Sequence, residues 1–346
     1  MKVLFDMVHP ADVHFFKQTI TLLRNRGDTV LITSRQKDIT LELLDALGLE
    51  NICISHKGMG AVGLFIELLQ RDVELWKIAR QFEPDIFIAN NSPCGTHIAW
   101  LRGRPSLVFD DTEIHRFNRY LYSPLVTEVH SPQCYRLKSG SKRRYYPGYH
   151  ALAYLHPNHF QPDPDVLRQV GLTPEEPMAL VRFVEWGAMH DIGLKTLSSS
   201  DKFRIVEMIS AHMKVFISSE AELPRELEIY RLHIPIEQMH HILYYARMVV
   251  GESASMGAEA AVLGTPAVYY DELGRGYTDE LQNKYGLCFH YRTDDVEGFM
   301  NKILELVEIG DTRTYFEEAQ IRLLRENIDV AAYQIQQIDR LMAENS

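Results

Sequence analysis

The sequence predicts an α/β chain of two doubly wound domains, and three observations predict it. Short apolar runs alternate with helix-period segments along most of the chain, a dense proline cluster interrupts the alternation near the middle, and the alternation then restarts. With 346 residues, 46% of them hydrophobic, the chain can fill two cores of about 150 residues each.

Composition narrows the function. A net charge of −11, from 36 basic and 47 acidic residues, argues against a nucleic-acid partner, because phosphate backbones are held by clustered positive charge. The four cysteines, Cys53, Cys94, Cys134 and Cys288, are scattered with no CxxC, which fits neither a zinc knuckle nor a disulfide framework and suits a reducing cytoplasm. No apolar run reaches the roughly 18 residues of a membrane span, and the N-terminus enters a strand without a signal-peptide pattern. A soluble cytoplasmic protein is expected.

In the first half, Lys2 to Met7 reads as a strand that breaks at His9-Pro10, and Phe15, Ile20, Leu22 and Leu23 then keep helical spacing up to Gly27. His14 therefore falls just past the carboxyl end of the first strand, where open α/β sheets place ligand-contacting groups. Further strands are expected at 29–34, 51–55, 85–89 and 106–109. No GxGxxG follows the first strand, so a nicotinamide site lacks its fingerprint. The segment Leu64 to Phe82 reads as an amphipathic helix facing the core.

Asp110-Asp111-Thr112-Glu113-Ile114-His115 closes the fifth strand. Its three carboxylates and histidine suit a general base or a divalent cation, and equally suit an acidic helix N-terminus with no ligand. Lys138 to Arg144 reads as a solvated basic loop. Prolines 147, 157, 162 and 164 mark the linker, giving domains of 1–155 and 156–328 and a terminal helix from 329 to 346.

The second half alternates again, with strands expected near 177–183, 214–218 and 287–291. Its centre is Val249 to Tyr270, a strand, tight turn, short helix and strand. Gly251 ends the first strand, and small residues from Ser253 to Gly257 open a helix whose first amides have no intrahelical acceptor. Such a turn binds anions, so the amides of Ser253, Ala254, Ser255 and Met256 suit a diphosphate, and Glu259, one turn on, suits ribose hydroxyls. An ordinary capped crossover explains the same residues.

This stretch resembles the donor motif of GT-B glycosyltransferases and UDP-GlcNAc 2-epimerases. Together with Phe5 to Phe16 and Gly148 to Leu155 it also resembles a GT-B-like domain-of-unknown-function family, family 354, over nearly the whole chain. The resemblance implies two Rossmann-like domains facing a cleft, the first for an acceptor and the second for a nucleotide sugar, with the terminal helix crossing back to the first. It implies a UDP-sugar as substrate, no separate cofactor and no metal. Donor contacts are then expected from Arg182, His190 and Lys195, Ser218, the His233-Ile234 backbone, Ser253 to Met256 and Glu259, with His14 or Asp111 as the base that deprotonates a hydroxyl acceptor.

By analogy with the GT-B enzyme that glycosylates a lipid-linked cell-wall precursor, Met59 to Phe65 is expected to touch the inner face of the membrane. The expected activity is sugar transfer in polysaccharide or glycoconjugate synthesis. UDP-sugar 2-epimerisation, or nucleotide-sugar binding without catalysis, are the alternatives.

Overall fold

The computed structural model describes residues 1–114, 116–138, 140–183, 196–219 and 222–345, and every count below is of those residues. The chain divides into two compact units, Met1–His159 with Ile328–Ser346, and Phe160–Asn327.

In the first unit the order is β1 (Lys2–Met7), α1 (Pro10–Asn25), β2 (Thr29–Gln36), α2 (Thr40–Ala46), β3 (Ile52–His56), α3 (Gly60–Phe82), β4 (Ile86–Asn90), α4 (Cys94–Leu101), β5 (Ser106–Phe109), α5 (Arg116–Tyr122), β6 (Glu128–Pro132) and β7 (Arg143–Tyr146). The strands form one parallel sheet in the order β3-β2-β1-β4-β5-β6-β7. Its central strands are covered on both faces, which is why β1 and β4 read as nearly unbroken apolar runs. Order reverses between β1 and β4, so the loops that follow these two strands flank the topological switch point.

Two strands extend this sheet beyond the five expected from sequence. Part of the basic run expected to be a solvated loop is β7, and tertiary pairing is the reason. The Arg143 guanidinium reaches Asp110 at 3.1 Å and lies 4.6 Å from the Tyr135 ring centroid, so a buried cationic side chain is accommodated on this edge strand.

Helix α3 departs from expectation in the orientation of its faces. Its buried residues include Glu67 and Arg71 beside Leu75 and Ala79, while Met59 just before it, then Val62, Phe65, Leu69 and Val73, are exposed. The charges turn inward because partners await them. Arg35 pairs with Glu67 through two hydrogen bonds of 2.6 Å, and Arg71 donates to Asp6 at 2.6 Å and to Ser55 at 2.9 Å. No described helix is long and apolar enough to cross a membrane.

The second unit runs α6 (Asp165–Gln169), β8 (Met178–Phe183), α7 (Ser199–Ser210), β9 (Lys214–Ser219), α8 (Met239–Tyr245), β10 (Met248–Gly251), α9 (Ala254–Val262), β11 (Ala267–Tyr270), α10 (Gly276–Glu280), β12 (Cys288–Tyr291), α11 (Val296–Glu308) and α12 (Thr312–Glu326). Its parallel sheet has the order β12-β11-β10-β8-β9, with the switch point between β8 and β10. The last helix, α13 (Val330–Glu344), belongs to the first unit and packs along α1. There Gln334 meets the Thr19 hydroxyl and the Phe15 carbonyl, Arg26 grips Asp339 at 2.7 and 2.8 Å, and Tyr333 joins His130 at 2.6 Å.

Candidate active site

At the switch point of the first unit, side chains from three neighbouring strand ends gather. Asp6, the penultimate residue of β1, is fully buried and satisfied by Arg71, by Ser92 Oγ at 2.7 Å and by Thr33 Oγ1 at 3.0 Å, so it serves the framework. Asp12, in the first turn of α1, accepts from the amides of Val8 at 2.8 Å and His9 at 3.0 Å and from Asn90 Nδ2 at 2.9 Å. Burial nevertheless raises its pKa to about 6, outweighing those hydrogen bonds, with Asp6 adding repulsion. Asn91, at the start of the loop after β4, holds φ at 49°, a conformation asparagine tolerates better than most residues, and its Oδ1 is buried without a hydrogen-bond partner among the described residues.

The acidic run after β5 separates into different jobs. Asp110 is buried and anchored by Tyr122 at 2.8 Å, Tyr135 at 2.9 Å and Arg143. Glu113 accepts from the Arg136 amide at 2.8 Å. Asp111 turns the other way, and its Oδ2 lies 3.2 Å from His150 Nδ1. His115 lies outside the described residues. The six-residue stretch is therefore no single constellation, and no described group of three or more His, Cys, Asp or Glu could hold a metal ion.

Asp111 is the most perturbed carboxylate here. Burial first, then the charges of Asp110 and Glu113, push its pKa up to about 8, and Asp12 adds to the rise. Burial moves His150 the opposite way, down to about 3. Below pH 8 the pair is thus mainly a neutral acid beside a neutral imidazole. His14, the other base expected from sequence, is half-buried on α1 with its ring stacked on Tyr154 at 5.4 Å between centroids.

In the second unit, sheet register brings most of the expected donor residues to one edge. Arg182 stands opposite Ser218 on β9 and Gly251 on β10, and its Nη1 donates to Ser218 Oγ at 3.1 Å. Leu232 donates to the Ile217 carbonyl at 2.9 Å, which lays the His233-Ile234 stretch beside the end of β9. Gly251 is required: its φ is +153°, and a Cβ there would sit 2.0 Å from the Arg182 carbonyl oxygen. Glu252 is engaged by Lys202 at 3.3 Å and by the Leu197 amide at 2.9 Å.

The anion turn is narrower than sequence suggests. Ser253 caps α9 and accepts from the Met256 amide at 3.3 Å, so that amide is already used. Those of Ala254 and Ser255 have no acceptor among the described residues, and Ser255 is exposed. Glu259 also differs from expectation, since His240 Nε2 lies 3.3 Å from its Oε1 and takes up part of its hydrogen-bonding capacity. His190 and Lys195 lie outside the described residues.

Sequence reasoning assigned no role to His150, Asp12 or Arg143. His150 carries no local pattern, and its partner Asp111 is brought to it only by the fold. For Asp12 the signal was available, since an acid three residues past His9 at a helix start is a capping pattern.

Several known proteins resemble this chain in sequence or in fold. The uncharacterized protein MJ0665 of Methanocaldococcus jannaschii is 22% identical over 281 residues, which cover 78% of this chain and 81% of its own. The UDP-GlcNAc 2-epimerase of Neisseria meningitidis, solved bound to UDP-GlcNAc, superposes with a TM-score of 0.64 at 13% identity, covering 97% of this chain and 99% of its own. The glycosyltransferase VinC, solved in complex with dTDP, gives a TM-score of 0.66 at 14% identity, covering 99% and 100%. At such identities the likeness is one of fold, two Rossmann-like parallel-sheet units of the GT-B kind. The match of residues 1–332 is to the family described as "Protein of unknown function (DUF354)", and the chain belongs to that family.

Proposed function

We propose that this protein is a glycosyltransferase that moves a sugar from a UDP-linked donor to a hydroxyl acceptor, in polysaccharide or glycoconjugate synthesis. The observation that carries the reading is Asp111, a carboxylate with its pKa raised to about 8 beside the switch point of the first unit's sheet. The ionised form of so weak an acid is a strong base for a carboxylate, and enough of it exists near neutral pH to act. The acceptor O–H proton passes to Asp111, the acceptor oxygen bonds to the sugar C1, and the C1–O bond to the diphosphate breaks. Charge then grows on the departing diphosphate. In the second unit the open amides of Ala254 and Ser255, the positive end of α9 and Arg182 would stabilise it, with His233, Ile234 and Glu259 holding the nucleoside.

None of these roles calls on a divalent cation, so turnover is expected to survive a chelator. The exposed face of α3, with Met59, Val62, Phe65 and Leu69 outward, fits a lipid-linked acceptor reached from the membrane surface. Phe65→Asp should then lower co-sedimentation with anionic vesicles, and unchanged co-sedimentation would remove the membrane from the proposal.

A second reading, UDP-sugar 2-epimerisation, is favoured by Asp12 and Asp111, two neighbouring carboxyls with pKa values of about 6 and about 8, a spacing that suits removing and returning a proton. The deciding experiment gives the protein a panel of nucleotide sugars with and without hydroxyl acceptors. Transfer should need Asp111, with Asp111→Asn lowering turnover roughly 100- to 10,000-fold at nearly constant donor affinity. Rapid turnover by Asp111→Asn and its loss in His14→Ala would move the base to His14. Exchange of the sugar C2 hydrogen with heavy water in the absence of acceptor would replace transfer by epimerisation.

A further inference from the structure

The Asp111 neighbour His150 has a geometry that its packing role does not require. It begins a short 3-10 turn (His150–Ala153) behind the buried Tyr149, and its ring stacks face to face on Phe15 of α1, 3.9 Å between centroids and 21° between planes. That stack fixes the ring plane. Its Nδ1 lies 3.2 Å from Asp111 Oδ2, while its Nε2 is buried and meets no hydrogen-bonding partner among the described residues.

A buried lone pair left unmet costs less than a buried N–H left unmet, so the ring's single proton belongs on Nδ1, the nitrogen nearest Asp111. The other titratable groups facing Asp111 give no such help. Asp110 and Glu113 on its own loop and Asp12 on α1 all repel its charge, and the Tyr146 hydroxyl of β7 would do the same if ionised. Only a backbone amide in its own loop works the other way, and an Nδ1–H on His150 would add to it.

We propose that His150 is a positioning residue for Asp111, its Nδ1–H orienting that carboxyl group and easing its ionisation while the ring itself stays neutral. The inference deepens the proposed function and rests on Asp111 being the base. A cationic ring would be a poor partner at this site, since burial drives His150 to about 3 and keeps the proton from resting on it.

The test reads the pair without needing turnover. In protein carrying 13C-labelled aspartate carboxyls, with the Asp111 signal assigned by its loss in Asp111→Asn, the Asp111 midpoint should rise by about one pH unit or more in His150→Phe. It should return toward the wild-type value in His150→Asn, whose amide N–H falls near the place of Nδ1. An unmoved midpoint in His150→Phe, or no recovery in His150→Asn, overturns the proposal. Should His150→Phe fail to fold, 15N imidazole shifts of the wild-type protein decide instead. An Nε2–H tautomer above the Asp111 midpoint refutes it, and an Nδ1–H tautomer supports it. The two readings fail separately: full activity in Asp111→Asn sinks the base assignment whatever the midpoints do, whereas an inactive Asp111→Asn with an unmoved midpoint in His150→Phe sinks only the role of His150.

Discussion

Replacing Asp111 by asparagine should make the protein more stable as the solution becomes more alkaline, and the size of the effect follows from its surroundings. Folding raises this carboxyl from 3.8 to about 8, so the folded chain holds a proton that the unfolded chain has already released. Below pH 4 both states are protonated and the group is neutral in the balance. As pH climbs through the window from about 4 to about 8, wild-type stability falls, because folding there requires binding a proton or burying a charge. Four pH units at about 1.36 kcal/mol each would give about 5 kcal/mol. The side chain keeps 23% of its surface exposed, so solvent screening should reduce the measured effect to about 2–3 kcal/mol. Asparagine mimics the neutral acid and is insensitive to pH. Urea denaturation of both proteins from pH 4 to pH 9 measures the difference directly, since other titrating groups largely cancel. A stability gap that stays flat over that range would show that Asp111 titrates as an ordinary surface carboxylate, and the argument for it as a base would fall.

Three further outcomes are expected. Gly251→Ala forces a methyl group within 2.0 Å of the Arg182 carbonyl, so it should destabilise the protein by at least about 3 kcal/mol and abolish UDP binding by whatever fraction still folds; a normal melting temperature would mean that the β8–β10 junction is looser than described. Glu259→Ala should weaken UDP binding by about 1–3 kcal/mol in calorimetry, and an unchanged affinity in a folded variant would take α9 out of the donor site. Arg71→Met leaves Asp6 buried without its cation and should cost about 3–5 kcal/mol in denaturant unfolding. Adding Asp6→Asn should recover most of that loss, and no recovery would mean that Arg71 acts through packing alone.

How far the sequence could be read depended on whether a feature was local. The alternating elements were legible because parallel strands covered on both faces leave unbroken apolar runs such as Val3-Leu4-Phe5, and the turn from Gly251 to Ser253 was legible because a positive φ and a cap both demand particular residues. Helix α3 was legible as amphipathic, but its orientation was not, since only the presence of Arg35, Ser55 and Asp6 draws Glu67 and Arg71 inward. The division of labour between Asp110 and Asp111 was equally hidden. Two identical side chains in succession face opposite environments, and nothing in their own stretch says that Tyr122, Tyr135 and Arg143 will converge on the first and His150 on the second.

The division of the chain has a consequence for how the protein must be made. The second unit is one uninterrupted segment, 160–327, whereas the first is assembled from residues 1–159 and the helix that follows the second. On a ribosome the first sheet is therefore complete long before Gln334 can reach Thr19 on α1 or Tyr333 can reach His130 on β6, and the face of α1 that the last helix covers stays open during synthesis. Chains halted anywhere before residue 330 should be held by chaperones through that uncovered α1 face, while the segment 160–327 expressed alone has every residue of its own core and should fold unaided.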